Sequence, residues 1–567
     1  MIDLVKKIFL SVSLVLVDVI LLSCAGQIYP SGGPPDTTPP EIVESLPLPR
    51  TLNFNHQQVS FSFSKYVDRR SVEESVFFSP SVGQLTFDWG SKDVTVHFTD
   101  TLRPRTTYIV TLGTDVKDIR NNRLAQAFSL PFSTGNVIDT ARITGSVFDQ
   151  DPVGVMVFGY KLDDRLPDTL NPSHTKPDYI TQTGKDGKFI LPYLAFGTYR
   201  LIAVRDEYKN LLYDLQIDHF GTYTSDIVLT PGHPIYSGVQ FRLSIEDTSA
   251  PFFSSAKALD QNHVLLKFSE GMDVSSITID RMTIVDTLTN APLSIVNLSF
   301  TERPSLEAEV VTAEQKKNEG YRLIINGAQD SAGHKMLFPH NIGEFSGSAD
   351  PDTAKPVFEI SDLHDQSKEI PIDEIFHFQF KKPVIQKSFE SGFVIFDTAL
   401  AKVKGRFVWW FSTAVSFIPL EPLRYETNYH LRVALDSIRD YSGNRFSDST
   451  LLIRFQTLDE KILSSIRGQV TDDEAGAKGT IIVTATNIAE RRMKPRTVVL
   501  PAAGNFEMDG LREGQYTFFA FRDADTNGIY SCGRPYPFVP SERFIVYPDT
   551  LKLRARWPLE GLTIGLK

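Results

Sequence analysis

Two cysteines in 567 residues, Cys24 and Cys532, cannot build a disulfide framework, so every domain must hold itself together by its core. The eleven histidines are scattered singly, with no H-E-x-x-H, H-x-x-E-H or close His-x-His pair, which leaves a catalytic zinc site unsupported. No G-x-S-x-G elbow and no phosphate-cradling glycine loop with a following lysine occurs. The formal charge of −11 is spread thinly along the chain, which argues against a nucleic-acid partner, since phosphate binding needs clustered Lys and Arg. Acidic doublets such as Asp163-Asp164 and Asp472-Asp473 fall in predicted turns, where solvated carboxylates are ordinary. The expectation is a protein that is not an enzyme and needs no cofactor. No convincing long amphipathic helix interrupts the chain beyond residue 37.

What is abundant points to strands. Forty Phe and nineteen Tyr, against seven Met, favour extended structure. Val59-Ser60-Phe61-Ser62-Phe63-Ser64 and Val94-Thr95-Val96-His97-Phe98 alternate apolar and polar residues, and Tyr108, Val110 and Leu112 share one face. Period-two alternation means one buried face, which suits an antiparallel sandwich.

The N-terminus carries a different signal. Lys6 and Lys7 precede an apolar run from about Ile8 to Leu22, too short for a comfortable span, that leads into Leu21-Leu22-Ser23-Cys24. The pattern resembles a bacterial lipoprotein signal over 1–23 with a lipobox. The resemblance implies cleavage before Cys24 and lipidation of its thiol, so the expected partner is a membrane, reached through the lipid. Residues 24–40 contain QIYPSGGPPDTTPP, a Pro/Gly-rich tether that cannot pack a core. Ala25 stands where an inner-membrane retention Asp would be, which implies an outer-membrane envelope location with the leaflet left open.

Self-comparison organises the rest. Asp36-Thr37-Thr38-Pro39-Pro40, Asp247-Thr248-Ser249-Ala250-Pro251 and Asp352-Thr353-Ala354-Lys355-Pro356 open three similar units. Each continues with a strand and polar turn (FSFSKYVD, LLKFSEGMD, FHFQFKKPV), then a Tyr-led strand and a second polar turn beginning at Asp118, Asp330 or Asp440. These units, at about 37–135, 247–347 and 352–458, resemble the bacterial Ig-like domain of S-layer proteins of the SbsA type. The middle copy diverges most, lacking the L-x-P-x-T lead and carrying a Lys-rich insertion near Lys316. A second repeat fills 140–245 and 463–567: Ile143-Thr144-Gly145-Ser146-Val147 matches Ile466-Arg467-Gly468-Gln469-Val470, and LAFGTY from Leu194 matches LREGQY from Leu511. It resembles the carboxypeptidase regulatory-like domain, a transthyretin-like sandwich. The reading is an all-β tandem array of five small β-sandwiches, in a Bacteroidetes-type lipoprotein that acts as a structural or interaction protein of the envelope. The alternative is a glycan-binding lipoprotein serving polysaccharide uptake; the partner, protein or glycan, stays open.

Two local motifs carry possible chemistry. Asp523-Ala524-Asp525-Thr526-Asn527-Gly528 resembles the start of a calcium loop, with Asp523, Asp525 and Asn527 as candidate ligands. Position twelve is Arg534 rather than Glu, so a plain polar hairpin turn is the competing reading. In Phe407-Val408-Trp409-Trp410-Phe411, adjacent residues face opposite sides, so either Trp409 or Trp410 is expected outside its own core, as a binding platform or against a neighbouring domain. Cys532 is expected as a lone thiol on a loop.

Overall fold

Alternating side chains become alternating burial: in Gln58–Phe63, Val59, Phe61 and Phe63 are buried while the residues between them are not. The computed structural model describes residues 36–162, 167–360, 363–474, 476–489 and 494–566. The lipobox residues Leu21, Leu22, Ser23 and Cys24, and Asp163-Asp164, lie outside the described residues. Among the described residues, no helix is long and apolar enough to cross a membrane.

Five β-sandwiches follow one another. In the first, a four-stranded sheet ordered Ile42–Leu46, Gln58–Phe63, Asp93–Phe98, Leu85–Trp89 packs on a three-stranded sheet of Val76–Ser79, Thr107–Leu112 and Phe128–Ser133. The third domain repeats this order in Phe253–Ala258, His263–Met272, Ser305–Thr312, Ile295–Phe300 over Met282–Asp286, Gly320–Ile325, Ile342–Ser346. Its topology therefore matches the first domain despite its divergent sequence. The fourth adds an edge strand, Ser367–Ile370, to give four strands over four. The second and fifth domains share another plan, five strands over three.

The expectation of purely antiparallel sandwiches needs correction. Ala141–Phe148 pairs in parallel with Ile235–Arg242, Leu463–Asp472 with Leu559–Leu566, and Ser367–Ile370 with Leu451–Thr457. Alternation fixes which face is buried but is silent on the direction of the neighbouring strand. The repeated I-x-G-x-V glycine belongs to this pairing. A Cβ on Gly145 would sit 2.2 Å from the Val239 carbonyl oxygen, and one on Gly468 2.6 Å from that of Leu562.

The array also folds back on itself. Phe77 of the first domain packs into a cluster of second-domain residues with Met156, Phe158 and Tyr160, and Thr114 Oγ1 donates to the Thr183 carbonyl at 2.9 Å. The third domain meets the fourth through Asn297 Nδ2 to Ser412 Oγ (2.6 Å) and the Phe300–Phe411 ring pair (5.3 Å). The fourth meets the fifth through Arg496–Asp373 (2.6 Å) and Arg512–Glu369 (2.9 Å). The fifth then returns to the second: Thr222 Oγ1 donates to the carbonyls of Cys532 (2.9 Å) and Val539 (3.1 Å), more than 300 residues along the chain. Arg242 lies over the Phe519 ring at 5.1 Å, and Arg200 over Phe538 at 3.8 Å. Gln216 of the second domain donates to Thr248 at the start of the third, so domains two to five close a cycle of contacts, with the first domain docked on the second. Cys532 is a free thiol on a loop, as expected, and is half-buried there. It packs against the second-domain cluster, and burial pushes its thiol up.

Candidate functional site

The fifth-domain acidic loop begins where the long strand Gly514–Asp523 ends, which delivers Asp523 buried at its base. Asp523 and Asp525 do converge, joined by Glu542, with one oxygen of each within 4.8 Å of the others. Asn527 is brought to the same loop, but its Nδ2 donates to Asp525 (2.8 Å) and its Oδ1 accepts from the Ile529 N–H (2.6 Å). Asp523 accepts from the N–H groups of Asn527 (3.0 Å) and Gly528 (3.0 Å), and Glu542 from those of Ala524 (2.7 Å) and Ser531 (3.0 Å). The second domain repeats this geometry: Asp206 accepts from the N–H groups of Asn210 (3.1 Å) and Leu211 (2.8 Å), and Asp218 from Glu207 (3.0 Å) and Asp214 (2.8 Å). The shared device is a pair of carboxylates pinning a long loop by its backbone. Burial raises the Glu542 carboxyl, and likewise those of Asp206 and Asp218. Sequence reasoning missed Glu542 and Asp218, because each lies beyond the loop it anchors.

The tryptophan pair separates as the pleat demands, with help from a bulge. Trp409 faces its own core, stacks on Phe380 at 6.3 Å and donates through Nε1 to Glu390 (2.9 Å). The register shifts between Trp409 and Phe411, and Trp410 at that bulge is 49% exposed. Its Nε1 donates to Ser416 Oγ (3.0 Å), and Arg303 of the third domain lies over its ring at 5.0 Å. Trp410 is therefore at once an interdomain contact and a half-open ring.

A cleft with no sequence signature opens in the fourth domain, with a volume of about 630 Å³. It lies between two edge strands, Phe393–Asp397 and Gly405–Phe411, each paired on one side only within its sheet. Phe393, Phe407 and Phe417 form its apolar floor, and Lys402, Lys404 and Arg432 line its rim. Gly405 lets the Phe417 ring close over the strand, since a Cβ there would stand 2.2 Å from that ring. The outer edge of Phe393–Asp397 is taken by its own turn, Val403 N–H donating to the Ile395 carbonyl (2.9 Å) and Asp397 N–H to that of Ala401 (3.0 Å), so the cleft offers the backbone edge of Gly405–Phe411, apolar surface and positive charge.

The folds and sites now in place can be set beside known proteins. Residues 36–134 and 352–457 match the bacterial Ig-like domain family. The first and fourth sandwiches thus match that family; the match does not extend to the third. No curated protein matches the chain. Among solved structures, the N-terminal part of the bacterial S-layer protein SbsC is 15% identical over 36% of this chain and 44% of that one, with a TM-score of 0.17. The chain thus spans less than half of that structure. SbsC domains 1–6 are 9% identical over 93% of this chain and 68% of that one (TM-score 0.16). Alpha-2-macroglobulin of E. coli is 10% identical over 91% of this chain and 34% of that one (TM-score 0.14). At such scores these likenesses carry no argument about arrangement or activity.

Proposed function

We infer that this chain is a non-enzymatic lipoprotein of the cell envelope, anchored through Cys24 in the outer membrane, and that it serves as a rigid scaffold presenting a protein-binding cleft. The observation that carries the reading is the closed cycle of contacts among domains two to five. Interfaces built from cation–ring contacts, part-buried hydrogen bonds and ion pairs suit a unit that holds its shape, whereas a flexible string of modules needs none of them. The bacterial Ig-like matches and the Pro/Gly-rich segment before the first domain support a spacer held off a membrane. The five-over-three plan of domains two and five is compatible with the carboxypeptidase regulatory-like resemblance. Binding by strand addition fits the fourth-domain cleft, because the outer edge of Gly405–Phe411 supplies main-chain hydrogen bonds while Lys402, Lys404 and Arg432 favour an acidic segment.

The test joins anchor and partner. Wild-type chain should pellet with membranes and Cys24→Ser should not, as judged by immunoblotting of fractions. Cross-linking in intact cells should capture a partner protein that is lost in a Lys404→Glu/Arg432→Glu variant whose fold is intact by circular dichroism. A wild-type chain found in the soluble fraction would refute the anchor, and a cross-link indifferent to the charge reversal would refute the cleft.

A second reading, glycan binding, is favoured only by the half-open Trp410 ring. If it holds, Trp410→Ala should weaken binding on a glycan array at least tenfold, the loss of a stacking contact at a binding hot spot. Unchanged binding, or no glycan bound by wild type, removes this reading.

A further inference from the structure

The surface shared by the third and fourth domains encloses charge. The outer face of the third domain's four-stranded sheet carries His263 and Leu265, Glu309 and Val311, and Asn297 and Ser299, because residues two apart share a face and the register sets Glu309 between Leu265 and Ser299. The fourth domain covers this face. On one flank the contact is neutral: Tyr441 OH donates to Asn297 Oδ1 at 3.1 Å, and Ser299 Oγ lies 3.0 Å from Thr413 Oγ1. On the other flank it is ionic. His263, 1% exposed, places Nδ1 at 2.8 and 2.9 Å from the two oxygens of Asp260 on its own hairpin, and at 3.9 Å from Asp352 Oδ2, where the fourth domain begins. Asp352 pairs with Lys382, which also binds Asp440 at 2.7 Å. Glu309 completes the group, its carboxyl feeling the charges of His263, Lys382, Asp260 and Asp352.

The first domain does without these groups. Its bridge of Val67 with Asp118 corresponds to that of Met272 with Asp330, so Gln58 and Thr95 stand at the places of His263 and Glu309, and Gln58 is exposed. In the third domain the same two places are titratable and lie under a neighbouring domain. With Glu309 ionised and His263 neutral, the contact encloses four carboxylates (Asp260, Glu309, Asp352 and Asp440) against the one ammonium of Lys382. With a proton on each, it encloses three carboxylates against two cations. Enclosing an excess of one sign is costly where water is scarce, so proton uptake favours the contact. Burial pushes the Glu309 carboxyl up, and the Asp260 and Asp352 carboxylates add to it, against the pull of His263 and Lys382. Burial alone would lower His263, but the bond and charge of Asp260 and the charge of Glu309 outweigh it and hold the imidazole above its ordinary value. His263 Nε2 has no hydrogen-bond partner, so the surrounding charges are what favour one protonation state over the other.

We propose that the contact between the third and fourth domains is a pH-sensitive joint, closed while Glu309 and His263 hold their protons and loosened as those protons leave. Both groups keep their protons to higher pH in the docked chain than in water. The stabilisation is therefore complete below the ordinary values, about 4.3 for Glu and about 6.5 for His, and is lost as pH rises through the raised ones. The neutral flank, with Arg303 over the Trp410 ring, would stay in place as the hinge. The inference rests on this contact alone and not on the Cys24 anchor or the fourth-domain cleft.

The experiment reads the protection of a cysteine placed in the contact. Ser299 is fully buried, so Ser299→Cys in the full chain carrying Cys24→Ser and Cys532→Ser gives a single reporter thiol. It is labelled with a disulfide reagent between about pH 5.5 and about pH 8.5, which brackets the ordinary His value. Each rate is divided by that of the same chain in urea at the same pH, which cancels the thiolate's own pH dependence. Protection should fall at least tenfold as pH rises. Glu309→Gln, which stays neutral, should remain protected to higher pH, whereas His263→Gln, which removes a cation, should lose protection already at the acid end. A purely structural role would weaken protection in both variants. If Ser299→Cys does not fold, Thr413→Cys reports from the opposite side of the same contact. Protection that does not change with pH, or a fall that Glu309→Gln leaves where it was, would overturn the joint and leave the scaffold standing. No protection at any pH would overturn both.

Discussion

Asp472→Ala should destabilise the fifth domain by about 3–5 kcal/mol, the range for removing one partner of a buried ion pair, measured as the shift in its urea unfolding transition. Asp472 ends the strand Leu463–Asp472, and its side chain is 3% exposed. Its Oδ2 takes Arg522 Nε at 2.7 Å and Nη2 at 2.5 Å, while Arg543 binds both carboxylate oxygens. Both guanidinium side chains are nearly buried, so alanine would leave Arg522 without a carboxylate and Arg543 with only the exposed Glu474 at 3.2 Å. Asp472→Asn keeps the volume and an acceptor oxygen and should cost less than alanine. Burial alone would raise the Asp472 carboxyl, but the bonds from Arg543, the Glu474 N–H and Arg522 outweigh it and hold it below the usual range. With the folded-state value depressed, this stabilisation is present above the unfolded-state value, about 3.9, and is lost as pH falls through the folded value. The wild-type transition should therefore move to lower urea below about pH 4, and Asp472→Ala should show a smaller pH dependence there.

Much of this architecture was legible because it repeats. The polar turns at Asp118, Asp330 and Asp440 announce themselves by spacing, and each proves to be a buried Asp accepting N–H groups of its own turn. The Lys65 and Lys382 positions were readable as members of matching strands, but not their meaning. That required the opening Asp and the turn Asp, some 80 residues apart, to be folded onto them. Glu542 stayed hidden for the same reason, since no local period links it to Asp523. The Trp409–Trp410 alternation was legible; the bulge that leaves Trp410 under Arg303 was not. Strand direction escaped too, because a buried face reads alike beside a parallel or an antiparallel neighbour. The return of the fifth domain to the second left no trace in hydrophobic periodicity. Thr222, Arg242 and Phe538 read as ordinary outward-facing or loop residues until the partner surface is seen.

That return contact is open to direct test, since Gly533 is its tightest point. Its φ of +72° lies in the left-handed region, and a Cβ there would stand 2.3 Å from both Thr222 Oγ1 and the Val539 carbonyl oxygen. Gly533→Val combines a β-branched residue at positive φ, costing on the order of 1–2 kcal/mol, with a collision against the second domain. The cores of the second and fifth domains lie elsewhere, in clusters that do not contain Gly533. Parting the two domains relieves the Thr222 collision, and the Val539 carbonyl, in the same fifth-domain loop, must shift with it. Cys532, the neighbouring residue, reports the outcome. In wild type its thiol is packed against the second-domain cluster and raised by burial, so little reactive thiolate is available. In a Cys24→Ser background it is the sole cysteine. Gly533→Val should then accelerate its reaction with a disulfide reagent at least tenfold, and small-angle scattering should show a larger radius of gyration with unchanged circular dichroism. Equal labelling rates, with Cys532 reactive already in wild type, would mean that the second and fifth domains do not close on each other in solution, and the rigid-scaffold reading would fall with the contact that supports it.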